Sequence, residues 1–334
     1  YRDGRIAAAD GDWIVADLAA PEARAQLAAS VLGLELRNGA LIHAGFFLGP
    51  RAFYAALRAL PESERALIDM RGVGYINQLY GSEYELKLAQ RSHARCINTT
   101  MMVTTLGAAI SDGLADGRVV SGVGGQYNFV AMAHALPGAR SILCVRATRS
   151  KRGQVTSNIV ASYGHVTIPR HLRDIVITEY GIADLRGKTD GECVAAMLGV
   201  ADARFQDELL ASAKRAGKIA RDYQVPAAAR ANTPGHLERA LESHRVAGRF
   251  SEYPFGTDLT PEEIRLAHAL RGLRAELETT GPKRVFAALR AVAQRPQAAE
   301  APCLARMGLN NPSQFREHLL ARLVAYALRT FSPR

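Results

Sequence analysis

Three short stretches of this chain combine residue types that could hold and polarise a reacting carbonyl. The segment Ser121-Gly122-Val123-Gly124-Gly125-Gln126 lies between a predicted strand, Arg118-Val119-Val120, and a predicted helix from Asn128 to Ala135. Glycines there let the main chain approach a ligand with no Cβ in the way, and N–H groups at a helix N-terminus can point at an anion or a developing oxyanion. A tight βα turn with no ligand would look the same. The segment also fails the dinucleotide-binding pattern, because the third glycine of that pattern is Asn128 here.

The second stretch, Thr178-Glu179-Tyr180-Gly181-Ile182-Ala183-Asp184-Leu185-Arg186-Gly187, directly follows the apolar run Ile175-Val176-Ile177. Glu179 then stands at the C-terminal end of a strand, where α/β folds build their sites. Asp184 and Arg186 are equally suited to a structural ion pair. In the third stretch, Ala94 to Met102, a predicted strand ends on Asn98. Its amide could hydrogen-bond a carbonyl or orient a carboxylate, or cap a helix. His165 and His171 bracket Thr167-Ile168-Pro169-Arg170 without a third metal ligand, so no metal site is expected. Arg170 with Arg173 could meet a phosphate.

The elements that must carry these residues alternate between strand and helix. Hairpin punctuation at Asp3-Gly4 and Asp10-Gly11-Asp12 precedes a helix from Pro21 to Leu32. An Asn38-Gly39 turn leads to a strand at Ala40 to Ala44 and a helix from Arg51 to Leu60. Strands are predicted at Val73 to Ile76, Ala94 to Asn98, Ser141 to Val145 and Asp174 to Ile177, with Ser82 capping a helix that runs to Arg91. Met101 to Ile110 suits strand or helix. This order predicts an α/β domain with a mixed or largely parallel sheet. Beyond Asp190 the periodicity becomes helical: Glu192 to Leu198, Arg204 to Ala216, Pro234 to Arg245, Pro261 to Leu277, Pro282 to Ala293 and Gln314 to Leu328. The domain organisation expected is residues 1–67, 68–200 and 201–334, the last a helical C-terminal extension.

With 334 residues, 48% of them hydrophobic, the chain can bury a large core. No apolar run approaches the length of a membrane span. The four cysteines, Cys96, Cys144, Cys193 and Cys303, are widely spaced and suggest neither a zinc site nor a disulfide framework, which fits a reducing cytoplasm. The net charge of +10 is compatible with a phosphate-bearing ligand. Its arginines are spread along helices without aromatic clustering, so nucleic acid is not an expected partner.

In order along the chain, Ile97-Asn98, Ser121 to Gln126 with Phe129, Ser157-Asn158-Ile159-Val160, Val166 to Arg170 and Thr178 to Gly187 resemble the C-terminal half of the acetyl-CoA hydrolase/transferase family, which includes acetate- and 4-hydroxybutyrate-type CoA-transferases. The resemblance covers about Ile68 to Leu210. It implies a sheet of the CoA-transferase type (NagB/RpiA-like), acyl-CoA and a small carboxylate as substrates, and a homodimer. It also implies a reaction in which a glutamate forms first an acyl anhydride and then a glutamyl-CoA thioester. Carried onto this chain, it makes Gly124 or Gly125 the oxyanion donor, Asn98 a neighbour of the acyl group and Glu179 a carboxylate at the site floor. Gly122, Val123 and Gln126 complete the loop that binds coenzyme A as a substrate. Two positions depart from the pattern: the acidic residue before the loop phenylalanine is Asn128, and the Ser-Arg pair is Ser157-Asn158. No segment of the Ser-Glu-Met type that carries the family's nucleophilic glutamate is found. The resemblance therefore implies that residues 1–67 are the tail of the family's first domain, that the nucleophile lies upstream and that the chain alone is inactive. Acyl-CoA hydrolysis and non-catalytic CoA binding are the alternatives.

Overall fold

The computed structural model describes residues 2–332 except 9, 18, 32–38, 82, 152, 255, 279–292 and 294. The chain divides into two compact units, Tyr1–Leu48 with Ala56–Gly72 and Gly49–Ala55 with Val73–Arg334. In the smaller unit Gly11, at φ +93°, turns the chain between the antiparallel strands β1 (Arg5–Ala7) and β2 (Trp13–Val15). Ala8 and Ile14 bury against Leu27 of α1 (Pro21–Ser30). β3 (Ile42–Ala44) is followed by α2 (Arg51–Ala59), which starts in one unit and ends in the other, then by α3 (Glu62–Arg65) and β4 (Ile68–Met70). β3 and β4 pair in parallel. Leu32 and Asn38 lie outside the described residues.

The larger unit opens with α4 (Val73–Asn77), α5 (Tyr84–Gln90) and β5 (Arg95–Thr99). Met101 to Ile110 resolves into two strands, β6 (Met102–Thr104) and β7 (Ala109–Ile110), because Gly107 at φ +86° lets the chain fold back antiparallel. After the glycine loop come α6 (Gln126–Ala135) and β8 (Arg140–Cys144), then the hairpin β9 (Thr148–Lys151) and β10 (Gln154–Ser157), then β11 (Ile159–Val160). β12 (Ile175–Thr178) and β13 (Gly181–Asp184) complete a mixed four-stranded sheet of order β13-β12-β8-β5. In it β5, β8 and β12 are parallel and β13 is antiparallel on β12. A second sheet has the order β11-β6-β7.

One apolar cluster joins the two sheets to the helices that follow. Val103, Val130, Leu143, Ile159 and Val176 pack with residues of α7 (Asp190–Gly199) and α8 (Ala203–Arg215). α7 starts on a capping box, in which the Thr189 side chain accepts from the Glu192 N–H and the Glu192 carboxylate accepts from the Thr189 N–H. α9 (Ala227–Arg230) and α10 (Pro234–Val246) lead into a separate cluster. There Leu266, Ala269 and Leu273 of α11 (Pro261–Glu278) meet Cys303 and Leu304 of α12 (Ala301–Arg306) and Ala321, Val324 and Leu328 of α13 (Phe315–Phe331). The helix expected at Pro282 to Ala293 falls almost wholly outside the described residues.

Two expected strands are corrected. Val73 to Ile76 is the helix α4, because its last carbonyls find cationic partners far along the chain. Arg91 donates to the Tyr75 and Ile76 carbonyls at 2.9 and 3.1 Å, and Lys87 to Gln78 at 3.2 Å. Among the described residues Arg118 to Val120 makes only an isolated bridge, Gly113 with Val119, and Val119 and Val120 are exposed, with no sheet neighbour among those residues to recruit them. α6 begins at Gln126, two residues earlier than expected. Ser82 lies outside the described residues, and the residue preceding α5 is Glu83 in left-handed conformation, φ 60°.

A fully buried carboxylate locks α8 to the sheet. Asp202 caps α8 by accepting from the Arg204 N–H, takes two bonds from the Arg204 guanidinium and accepts from the Tyr180 hydroxyl at 2.9 Å. Burial would raise its pKa, but these bonds outweigh that and hold it below the usual carboxylate range. Asp202→Asn should cost about 2 kcal/mol at neutral pH, the loss of charge-assisted bonds discounted because Arg204 is partly exposed. A carboxyl whose pKa is lower folded than unfolded stabilises fully above about pH 4, and that contribution disappears as the pH falls through the folded value. The gap between wild type and Asp202→Asn should therefore narrow as the pH drops below about 4, which urea unfolding across a pH series would check.

Candidate functional site

Parallel strands place their C-terminal ends on one edge of a sheet, and three of the expected site segments meet there. The ladder sets Asn98 opposite Leu143, Thr99 opposite Cys144 and Cys144 opposite Ile177. Thr99 ends β5, and its carbonyl accepts a bond from Gln126 Nε2 at 3.2 Å. Gln126 is the first residue of α6 and is buried, so this bond docks the glycine loop and the helix N-terminus against the end of β5, beside Asn98. Asn98 is a strand residue and no helix cap.

Within the loop Gly124 has φ +58°, a conformation that disfavours any residue with a Cβ. A Cβ on Gly122 or Gly124 would have nothing within 4 Å. Gly125 differs: a Cβ there would lie 2.6 Å from Asn77 Nδ2 and 3.4 Å from Phe129. Gly122, Val123 and Gly124 are exposed and Gly125 is half-buried. The first N–H groups of α6 have no carbonyl within the helix to serve, so the loop presents donors along an open face. Asn98 Nδ2 is buried with no acceptor among the described residues. A donor in that position can hydrogen-bond a carbonyl oxygen.

Glu179 follows β12, two strands from β5 and so roughly 10 Å from it by sheet spacing. It is exposed, and its Oε2 accepts the Ala147 N–H at 2.8 Å. The loop after β8 that supplies this N–H is fixed by Asn158. The Asn158 Nδ2 donates to the Arg146 carbonyl at 2.9 Å, its main-chain N–H donates to the Ala147 carbonyl at 2.8 Å, and its Oδ1 accepts from Arg149 at 2.6 Å. Gly124, Gly125, Gln126 and Asn98 thus share one end of β5, and Glu179 stands on the same sheet edge beyond β8.

The remaining candidates serve the scaffold. Asp184 is paired with Arg186, whose hydrogen bonds hold its carboxyl down to about 2. Arg186 also reaches Asp174 at 3.5 Å. Arg170, Arg173 and Lys218 converge on Asp190. His165 Nε2 lies 2.9 Å from Asp112, which also accepts from the Thr167 hydroxyl. The Asp112 carbonyl in turn accepts from the N–H groups of Val120 and Ser121, anchoring the chain as it enters the glycine loop. Among the described residues no group of His, Cys, Asp and Glu could hold a metal ion, and no helix is long and apolar enough to cross a membrane. Sequence reading missed Asn77, Asp112 and Ala147; the first lay next to a segment expected to be a strand, and the last acts through its backbone alone.

Gly125→Ala should cost about 1–2 kcal/mol by crowding the Asn77 amide. Asn77→Ala in the same chain should recover much of that loss. Thermal melts of the two single variants and the double variant would show this as a coupling term, and strict additivity would mean that the close approach is not energetically significant.

Residues 49–213 match the acetyl-CoA hydrolase/transferase C-terminal domain. The 4-hydroxybutyrate coenzyme A transferase of Clostridium kluyveri is 27% identical over 172 residues, 51% of this chain and 37% of that protein. The succinyl-CoA:cyclohexane-1-carboxylate CoA transferase of Geobacter metallireducens is 28% identical over 178 residues, 53% of this chain and 38% of that protein. Among solved structures, RipA from Yersinia pestis is 31% identical with a TM-score of 0.43, over 52% of this chain and 36% of that one. The chain thus spans less than two fifths of the length of these relatives. Over residues 49–213, this chain belongs to the acetyl-CoA hydrolase/transferase family, as its C-terminal domain.

Proposed function

We propose that the larger unit binds an acyl-CoA thioester at the C-terminal ends of β5, β8 and β12 and takes part in CoA transfer to a small carboxylate. The observation that carries this reading is the glycine loop docked by Gln126 onto Thr99, next to a buried Asn98 Nδ2 without an acceptor. The Gly124 or Gly125 N–H groups would stabilise the oxyanion formed when the thioester carbonyl is attacked, and Asn98 would orient that carbonyl. Gly122, Val123 and Gln126 would form the wall along which the CoA arm lies.

In the reaction proposed, a glutamate carboxylate adds to the thioester carbonyl and expels the CoA thiolate, giving an acyl-glutamyl anhydride. The thiolate then attacks the glutamyl carbonyl and releases the acyl group as its carboxylate. An acceptor carboxylate reverses both steps, which regenerates the glutamate and yields the new thioester. The attacking glutamate comes from outside the residues gathered at the loop. Glu179, the carboxylate on this edge, is tied to the Ala147 N–H and roughly two strand spacings from Asn98, which suits a floor residue better than a nucleophile. That same observation favours a second reading, a CoA-binding module without turnover.

Titrating the chain with acetyl-CoA and separately following exchange of label from acetyl-CoA into acetate or succinate would separate these readings. Saturable binding that weakens about tenfold in Asn98→Ala, with little exchange by the chain alone, is expected. Rapid exchange with a trappable glutamyl thioester would place the nucleophile within this chain, release of CoA without an acceptor would favour hydrolysis, and no binding would end the acyl-CoA reading.

A further inference from the structure

The excursion that leads into the glycine loop is gripped from outside by a histidine that the proposed reaction does not use. Asp112 carries the grip in both directions. Its main-chain carbonyl accepts from the N–H groups of Val120 and Ser121 at 2.8 and 3.3 Å, so the residue that opens the excursion also holds its end, directly before Gly122. Its carboxylate accepts from the Thr167 hydroxyl and lies 2.9 Å from His165 Nε2. Between these points the Leu114 N–H donates to the Arg118 carbonyl at 2.8 Å, which closes the excursion on itself, and the Ala115 N–H donates to the Tyr163 hydroxyl at 3.1 Å. Tyr163, His165 and Thr167 therefore hold the entry of the glycine loop against the rest of the unit.

That bracket is rigid at its base. Ile168, next to Thr167, is fully buried and exchanges two main-chain bonds with Ala109 of β7, at 2.9 and 3.0 Å. The Thr167 hydroxyl also accepts from the Ser111 N–H at 2.9 Å. The imidazole lies against the main chain of Gly113, where a Cβ would be 2.8 Å from its Nε2. Its side chain is nevertheless 39% exposed, so protons reach it from solvent. Thr167 and His165 hold the Asp112 carboxyl below the usual carboxylate range, which keeps it ionised where histidines titrate. Among the described residues the nearby charges are otherwise engaged, Asp116 with Arg118 and Arg170 with Asp190, while the Tyr163 hydroxyl serves Ala115.

We propose that Asp112 and His165 are positioning residues for the glycine loop, and that protonation of His165 tightens their bond and with it the binding of acyl-CoA. This rests on the reading of the loop as an acyl-CoA site. A neutral imidazole gives Asp112 an ordinary hydrogen bond, whereas an imidazolium gives a charge-assisted one of about twice the strength. The sign follows from the pairing. An ionised Asp112 favours the imidazolium, so the bond strengthens as the pH falls from about 7.5 to about 5.5 and is lost only at lower pH, where Asp112 itself takes up a proton.

The test follows the full chain as wild type, His165→Gln and Asp112→Asn across that pH range. Glutamine keeps a neutral donor but cannot take up a proton; asparagine keeps the main-chain carbonyl and removes the charge. In the wild type the backbone amide resonances of Ser121 and Gly124 should shift with the same midpoint as the His165 ring, and in both variants that shift should vanish. Calorimetric titration of acetyl-CoA should show the wild type gaining about threefold in affinity relative to either variant between the upper and the lower pH, a modest factor because the pair is partly exposed. Comparison at each pH cancels the titration of the ligand's own phosphates. Amides that stay still while His165 titrates, or that move equally in His165→Gln, overturn the inference and leave the acyl-CoA reading intact, as does the same pH dependence of affinity in wild type and variants. A pH-linked amide shift without any acetyl-CoA binding supports the coupling of His165 to the loop and overturns the acyl-CoA reading instead. If Asp112→Asn fails to fold, His165→Gln, at a partly exposed position, decides.

Discussion

Parallel pairing of β5, β8 and β12 is the constraint from which the larger unit is built. A parallel pair cannot be closed by a tight turn, so the chain must leave each strand at one edge and return to the opposite edge before starting the next. Between β5 and β8 that return includes β6, β7, the anchored excursion at Asp112 to Ser121 and α6. The C-terminal ends of three strands drawn from distant parts of the sequence are thereby brought to one edge. A helix running back along the sheet must begin near that edge. The glycine loop is the connection into this helix, and the Gln126 bond to Thr99 fixes its position relative to the strands.

The same constraint explains why the most recognisable stretch of sequence is mainly scaffold. In Thr178 to Gly187 the Thr178 hydroxyl donates to the Val200 carbonyl and the Tyr180 hydroxyl to Asp202; Asp184 pairs with Arg186. Each joins the β12–β13 hairpin to α7, to α8 or to its own turn. Burial and the neighbouring Asp202 carboxylate both push the Tyr180 hydroxyl pKa up, which keeps it a donor. Glu179 alone projects from the strand end toward the β8 loop. A motif can therefore identify a family while most of its residues act by holding one carboxylate in place.

What could be read from the sequence follows from how local each interaction is. β8 and β12 were legible because Ile142-Leu143 and Ile175-Val176-Ile177 are apolar runs, and in the fold their residues alternate between half-buried and buried, as suits strands covered on both faces. α7 was legible from its helical periodicity over Glu192 to Leu198, although its capping box places the start two residues earlier, at Asp190. α4 was not, because a stretch as short as Val73 to Ile76 has no periodicity to distinguish strand from helix, and the cations that cap it come from α5 and beyond. At the site, spacing marked the glycine loop only as a βα turn, and the resemblance singled out Gly124 and Gln126 within it. Asn77 could not be found, since its relation to Gly125 exists only once α4 is folded against α6. Ala147 was invisible because it contributes a backbone N–H, which any residue but proline supplies.

Asn158, where the sequence departs from the family pattern, ties the β9–β10 hairpin to the loop after β8. The resemblance places an arginine at this position, and a buried asparagine stands there instead. Its Oδ1 accepts a 2.6 Å bond from Arg149 of the neighbouring hairpin, so a guanidinium reaches this point from β9. The amide Nδ2 meanwhile holds the Arg146 carbonyl, and the Asn158 N–H holds that of Ala147. An arginine side chain offers donors only and could not accept from Arg149 as well as donate to Arg146. Asparagine does both, which stiffens the loop that presents the Ala147 N–H to Glu179. Position 158 thus holds Arg149 of β9 and the Arg146 carbonyl at once, and fixes the backbone that brings the Ala147 N–H to the carboxylate on the sheet edge.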